Sequence, residues 1–150
     1  MQINLKCGLA GAILLFTNCP ASAELGGNLA SVEADRAHMK AAARALAAQK
    51  YTVQEIQEPN GTVIREYLSL SGKVFAVAWN GPQVPDLQQL FGSYFKSYQD
   101  AVRARPGGHG PVRVESADLV VHSGGHMRAF SGLAYVPQLT PADVSIGELN

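Results

Sequence analysis

The stretch between residues 51 and 79 constrains the fold most, because two turn sequences divide it into short segments. Glu58-Pro59-Asn60-Gly61 is typical of a tight turn, since proline suits the first central position and glycine accepts a positive φ. A second turn is predicted at Ser71-Gly72. Strands joined by such short loops are antiparallel neighbours in one sheet. The stretch therefore predicts a three-stranded antiparallel meander.

The first turn fixes the register of the first two predicted strands. A three-residue Pro-Asn-Gly loop sets Ile56 opposite Ile64 and Glu55 opposite Arg65. We interpret Glu55 and Arg65 as an ion pair across an exposed face of the sheet. The opposite face is predicted to carry the core residues Ile56, Ile64, Leu68, Phe75, Val77 and Trp79.

The second turn places a carboxylate among these core residues. A two-residue loop sets Leu68 opposite Phe75 and Glu66 opposite Val77, so Glu66 lies on the face that also carries Ile64. A buried carboxylate needs a partner and is frequent in functional sites, which makes Glu66 a candidate site residue. The alternative is that Glu66 lies at the rim of the sheet or pairs with a nearby Lys or Arg.

The segment after the meander has the period of an amphipathic helix. It begins near Pro85, which suits a first helical turn, and its polar residues fall on the opposite side from its apolar ones. An Ala-rich stretch before the meander, residues 33–49, also predicts a helix, with Ser31 as its N-cap. The apolar face of the later helix consists of Leu87, Leu90, Phe91, Tyr94, Phe95, Tyr98 and Val102.

The C-terminal third of the chain predicts more strands. A turn is expected at residues 123–125 and a bulge at Gly132, and Thr140-Pro141 is expected to begin a short helix. The fold class that follows is α+β. It comprises an antiparallel sheet of five to six strands, formed by the meander and the later hairpin or three strands, with an amphipathic helix packed on one face. These later strands are predicted at 112–115, 118–122 and 127–136.

The N-terminal segment has the pattern of a secretory signal peptide. Lys6 precedes an apolar run, residues 7–16, that is too short to span a bilayer. Ala21-Ser22-Ala23 follows, so we predict a signal peptide over residues 1–23, cleavage after Ala23 and a single domain over residues 24–150. The predicted location is periplasmic or secreted, with no transmembrane segment in the mature chain. An uncleaved membrane anchor and a lipoprotein modified at Cys19 are the alternatives.

Composition and motifs exclude several classes of protein. Both cysteines, Cys7 and Cys19, lie in the predicted signal, so the mature chain offers no thiol for a nucleophile or a thiolate zinc site. Twelve basic residues balance twelve acidic ones, which argues against a nucleic-acid binder. The sequence has no serine-hydrolase elbow and no His-Glu-x-x-His motif. We predict a non-catalytic binding or interaction module without a cofactor, for an unknown protein or small-molecule partner in the cell envelope.

Two histidines and an arginine are the other candidate contacts. His122 and His126 flank the turn expected at residues 123–125, so they would face each other across a hairpin, and Arg128 follows closely. We therefore name His122, His126 and Arg128, together with Glu66, as candidate ligand or partner contacts, and assign no catalytic residue and no metal ligand. The alternatives are a small enzyme using Glu/His acid–base chemistry, or a weak metal site that also recruits His109.

Several stretches of the chain resemble one protein family. They are residues 25–27, residues 51–55 and 61–67, residues 74–82, residues 85–87 and residues 119–130, the last reading Leu-Val-Val-His-Ser-Gly-Gly-His-Met-Arg-Ala-Phe. Together they resemble a family of exported Gram-negative bacterial proteins known as domain of unknown function 2844. The resemblance covers nearly the whole predicted mature chain and implies export and a single compact domain. It implies no activity, ligand or catalytic residue.

Overall fold

One antiparallel sheet of seven strands organises the part of the chain that the computed structural model describes, residues 25–38, 42–47, 50–105 and 110–149. The predicted signal peptide and His109 lie outside the described residues. The elements are α1 (Leu29–His38), β1 (Ala42–Ala47), β2 (Tyr51–Gln57), β3 (Val63–Ser69), β4 (Val74–Gly81), α2 (Leu87–Phe91), α3 (Phe95–Arg103), β5 (Val112–Glu115), β6 (Val120–His126) and β7 (Ala129–Tyr135), with short 3₁₀ turns at Gly92–Tyr94, Pro137–Leu139 and Ile146–Glu148. The strand order in the sheet is β1-β2-β3-β4-β7-β6-β5.

The α+β class is confirmed, but the sheet has seven strands rather than five to six. The additional strand, β1, comes from the second half of the Ala-rich stretch, where the predicted helix is wrong. Ala43 of β1 pairs with Ile56 of β2 at the edge of the sheet. Helix propensities amount to less than about 1 kcal/mol per residue, so pairing with a sheet edge can outweigh them.

Helix α1 also begins earlier than the sequence predicts. Asn28, not Ser31, is its cap, because the Asn28 Oδ1 accepts hydrogen bonds from the backbone N–H of Ala30 at 2.9 Å and of Ser31 at 3.3 Å. Ser31 instead lies inside the first turn and is buried at 4% exposure.

The meander forms β2, β3 and β4 with the predicted pairs Ile56–Ile64 and Glu55–Arg65. Its second loop is one residue longer than predicted, because the Ser69 N–H donates to the Lys73 carbonyl and Gly72 adopts a φ of +79°. A bulge between Tyr67 and Leu68 compensates for the extra residue. Leu68 therefore pairs with Val74 rather than Phe75, whereas the register beyond the bulge is the predicted one.

The first face of the sheet, which carries Ile56, Ile64 and Trp79, is covered by helices. The predicted single helix is divided into α2 and α3 at Gly92, which has a φ of 49°. The apolar residues of both helices nevertheless pack on this face as predicted. Asp86 caps α2, since its Oδ1 accepts a hydrogen bond from the Gln89 N–H at 3.1 Å.

The second face of the sheet is partly covered by the C-terminal segment, residues 137–149. The predicted helix at Thr140-Pro141 is wrong, because the Val144 N–H donates to the Pro141 carbonyl in a turn. Among the described residues, the next helical turn spans Ile146–Glu148. Within the described residues, every helix is too short or too polar to span a lipid bilayer. The segment completes a second core of Tyr67, Phe75, Ala76, Ala78, Val144 and Leu149.

Candidate functional site

The uncovered part of the second face holds an open groove of about 740 Å³. Strands β3, β4, β7, β6 and β5 form its floor, and Ile146 and Gly147 of the C-terminal segment form part of its wall. The middle of the floor is apolar at Ala78 and Leu133, and Ser131 adds a polar group beside them. The second face is therefore closed at one end and accessible at the other.

A row of paired residues that crosses all seven strands on this face runs through the groove. The row is charged on the outer strands and apolar at its centre, over β4 and β7. Arg65 and His122 border the apolar centre and lie three strand spacings apart, which is about 14 Å between their Cα atoms. In strand order the row is Arg44, Glu55, Arg65, Ala78, Leu133, His122 and Arg113.

One glutamate bridges two arginines on the β1–β3 side of the row. Glu55 Oε1 accepts a hydrogen bond from Arg44 Nη2 at 2.8 Å, and Glu55 Oε2 accepts one from Arg65 Nε at 2.9 Å. The predicted pair of Glu55 and Arg65 is therefore present, with Arg44 as an additional partner. Two arginines for one carboxylate leave this end of the groove with a permanent positive charge.

A second glutamate joins the basic residues on the β5–β6 side. Glu115 Oε1 accepts a hydrogen bond from Arg113 Nε at 2.8 Å and lies 3.3 Å from His122 Nε2. The hydrogen bond from Arg113, followed by that from His122, holds the pKa of the Glu115 carboxyl below its usual value. Arg113 and Glu115 thus neutralise each other, and this end becomes positive when His122 is protonated.

The candidate residues His122, His126 and Arg128 do not come together. The turn predicted at residues 123–125 is wrong, because β6 continues to His126 and the chain turns at Met127 and Arg128, where Arg128 has a φ of 67°. His122 lines the groove, whereas His126 and Arg128 lie exposed at the end of the hairpin.

The two histidines are therefore not positioned to share a metal ion. They are four residues apart on one strand, which separates their Cα atoms by about 13 Å. Among the described residues, no group of three or more His, Cys, Asp or Glu side chains is arranged to hold a metal ion. The facing pair of imidazoles expected from the sequence depended on the wrong turn.

Glu66 lies away from the groove, on the other side of the sheet. It is buried at 1% exposure, and its neighbours along β3 on the same face, Ile64 and Leu68, belong to the core under the helices. His122 belongs to the second face, so the sheet itself separates the two residues. The acid–base combination of Glu66 with a histidine is not assembled in the described part of the chain.

Two arginines that line the groove, Arg65 and Arg113, are not among the residues singled out from the sequence. Arg65 is predicted only as half of a surface ion pair. Arg113 and Glu115 alternate on a predicted strand, which indicates a shared face, but the pairing of Arg113 with His122 depends on the register of β5 and β6. A tight turn at residues 116–119 sets that register, since the Ser116 N–H donates to the Leu119 carbonyl at 3.0 Å. The turn has no glycine or proline to mark it, so it is not among the turns predicted from the sequence.

The expected bulge at Gly132 is also absent from this part of the sheet, since the pairing of β7 with both neighbours continues through it. Gly132 instead makes room for Trp79. A Cβ at Gly132 would lie 2.2 Å from Cζ2 of the Trp79 ring. The absence of a side chain at Gly132 therefore allows the Trp79 ring to pack on the first face, on the side of the sheet opposite the groove.

Comparison with known proteins identifies a family but no function. Neither the curated proteins nor the solved structures contain a match to this chain. The family model described as "Protein of unknown function (DUF2844)" matches residues 21–149. Since this match covers most of the sequence, the chain belongs to the DUF2844 family.

Proposed function

We propose that the protein is exported and acts in the periplasm or outside the cell as a non-catalytic binding module. We propose the groove on the second face as its binding site. The observation that carries the proposal is the groove itself, whose volume of about 740 Å³ is in the range of ligand sites. Its apolar floor with a few convergent polar groups is the lining that such sites have.

The positions of the titratable residues favour binding over catalysis. General acid–base chemistry needs two groups within reach of one substrate. Glu66 and His122 lie on opposite faces of the sheet, and His126 lies about four residues further along β6. An enzyme built on Glu66 with one of these histidines receives no support from this arrangement. The carboxylate that His122 does approach, Glu115 at 3.3 Å, is held by Arg113 in an ion pair.

Export is supported by the sequence of residues 1–23, which has the charged start, apolar run and Ala-x-Ala end of a signal peptide. The test is to produce the full chain without a tag in a Gram-negative host and to determine the N-terminal residue of the product. We expect a periplasmic or secreted protein that begins at Glu24. A cytoplasmic product that retains Met1 would contradict export, and a membrane-bound product that retains Met1 would contradict cleavage after Ala23.

Binding in the groove is tested on the same preparation by native mass spectrometry. We expect a fraction of the protein to carry the extra mass of a small molecule. Ser131→Trp places a large side chain on the exposed floor of the groove and should abolish this fraction. Ser97→Trp, on the exposed side of α3, is the matched control and should keep it. A bare wild-type chain, or extra mass retained by Ser131→Trp, would overturn the proposed site.

A further inference from the structure

We infer that the groove binds an amphipathic organic anion, a molecule with an apolar body and a carboxylate or similar oxyanion at one end. The inference rests on the proposed function, since it names the class of ligand for the same groove. It comes from the order of residues across the strands of the sheet. The Arg65 guanidinium is followed by the apolar surface of Ala78 and Leu133 and then by a second basic group, His122.

The apolar body of the ligand would lie on the centre of the row. Ala78 and Leu133 form the floor there, and Ile146 rises beside them. The distance of about 14 Å between the strands of Arg65 and His122 accommodates a short acyl chain or two fused rings. A hydrated inorganic ion has no apolar part to cover the floor at Ala78 and Leu133. Its binding would therefore gain no hydrophobic contribution.

The oxyanion would lie at Arg65. This arginine shares Glu55 with Arg44, so the end of the groove that it forms keeps an excess of positive charge at every pH where arginine is charged. Arg65 donates to Glu55 through Nε, and the terminal nitrogens of a guanidinium can hold a carboxylate through two parallel hydrogen bonds. The Arg65 side chain is 37% exposed, which is accessible to a ligand yet less screened by water than an exposed arginine.

The opposite end of the groove is a weaker site for the anion. Arg113 is paired with Glu115, and its side chain is 73% exposed, so solvent screens its charge. His122 adds positive charge there only when protonated. We therefore expect the affinity for an anion to depend more on Arg65 than on Arg113.

The inference is tested by isothermal titration calorimetry with the exported, untagged protein and two matched probes, octanoate and octanamide. The two probes share an apolar chain and differ in charge. Octanoate should bind at least about tenfold more tightly, since hydrogen bonds to charged groups are worth more than neutral ones. Arg65→Gln should remove this difference, and Arg113→Gln should reduce it less.

Three variants control for structural effects. Arg103→Gln makes the same chemical change at the exposed end of α3, on the first face, and should leave both affinities unchanged. Arg65→Lys keeps the charge without the planar fork and should retain part of the preference for octanoate. Ser131→Trp should abolish the binding of both probes.

The outcomes separate the inference from the proposed function. Equal affinity for the two probes, both lost in Ser131→Trp, would overturn the anionic ligand and leave the groove as a binding site. Binding of either probe that survives in Ser131→Trp would overturn both statements. If an acidic hexapeptide binds and octanoate does not, the groove would be assigned to a polypeptide partner and the inference would be overturned. The inference would also be overturned if none of the probes binds.

Discussion

At the scale of single residues, Gly132 shows how a missing side chain contributes to packing. Trp79 is 2% exposed, and its ring centroid lies 6.1 Å from that of Phe91, so the indole is enclosed by the core. We expect Gly132→Ala to lower the free energy of unfolding by about 1–3 kcal/mol, the usual cost of overpacking. Urea denaturation measures this change.

The matched control for this prediction is Gly124→Ala on the adjacent strand. A Cβ at Gly124 would lie 3.5 Å from the Cβ of Pro111, which is ordinary van der Waals contact. We expect its effect on the free energy of unfolding to stay within about 0.5 kcal/mol, as for substitutions that meet no such obstacle. Equal losses for the two variants would contradict the packing role of Gly132.

The burial of Tyr67 predicts that the free energy of unfolding falls as the pH rises in the alkaline range. Burial raises the pKa of the Tyr67 phenol above its usual 10.0, and the nearby Arg65 opposes this only in part. The folded state thus favours the neutral phenol. The neutral Tyr67 phenol therefore makes its full contribution to the free energy of unfolding below pH 10.0. This contribution is lost as the pH rises through the pKa of Tyr67 in the folded state.

The measurement is the free energy of unfolding in urea at a series of pH values above neutrality. We expect stability to fall less steeply at high pH in Tyr67→Phe than in the wild-type protein. Parallel curves of stability against pH for the two proteins would show that ionisation of Tyr67 does not contribute to the loss of stability at high pH.

The sequence predicts individual contacts well where a turn fixes the register. The pair Glu55–Arg65 follows from the turn at Gly61 and is present. The pair Glu66–Val77 is present only because the bulge after Tyr67 compensates for a second loop that is one residue longer than predicted. The contact of His122 with Glu115 could not be predicted, because the turn that joins β5 to β6, at residues 116–119, contains no glycine or proline to mark it.

At the scale of secondary-structure elements, the C-terminal segment determines how much of the second face stays open. Its last described residue, Leu149, is completely buried against that face. We expect Leu149→Ala to destabilise the protein by about 2–4 kcal/mol, because it leaves a cavity under the segment. The midpoint of urea denaturation measures the loss.

Leu70→Ala is the corresponding control, since Leu70 is 78% exposed at the β3–β4 turn. We expect it to change the stability by less than about 0.5 kcal/mol. A comparable loss from both substitutions would argue against the segment as a stabilising cover of the sheet.

The errors in the predicted elements have a common physical cause. The stretch Ala42–Ala47 has helical composition but forms an edge strand, and Gly124 and Gly125 look like a turn but lie within β6. In both places, pairing with the rest of the sheet outweighs the local preference of the residues. The apolar face that α2 and α3 share agrees with the prediction although the helix is divided, because the periodic pattern over residues 87–102 extends over several turns.

At the scale of the whole molecule, the sheet has two different faces. Helices α2 and α3 close the first face over a continuous core, whereas the C-terminal segment closes only part of the second. The α+β class and the covering helix follow from the sequence. The groove does not follow from the sequence, because its extent depends on how much of the sheet the C-terminal segment covers.

The inferred binding of an amphipathic anion in the groove on the second face predicts which residues the ligand contacts. The most direct measurement is a titration of the ¹⁵N-labelled protein with octanoate, followed by amide chemical shifts. We expect the largest shifts at Ala78, Gly124, Leu133 and Ile146, which surround the groove, and none along α2 and α3. Shifts that centre on the hairpin end at His126 and Arg128, or on the helical face, would contradict the claim.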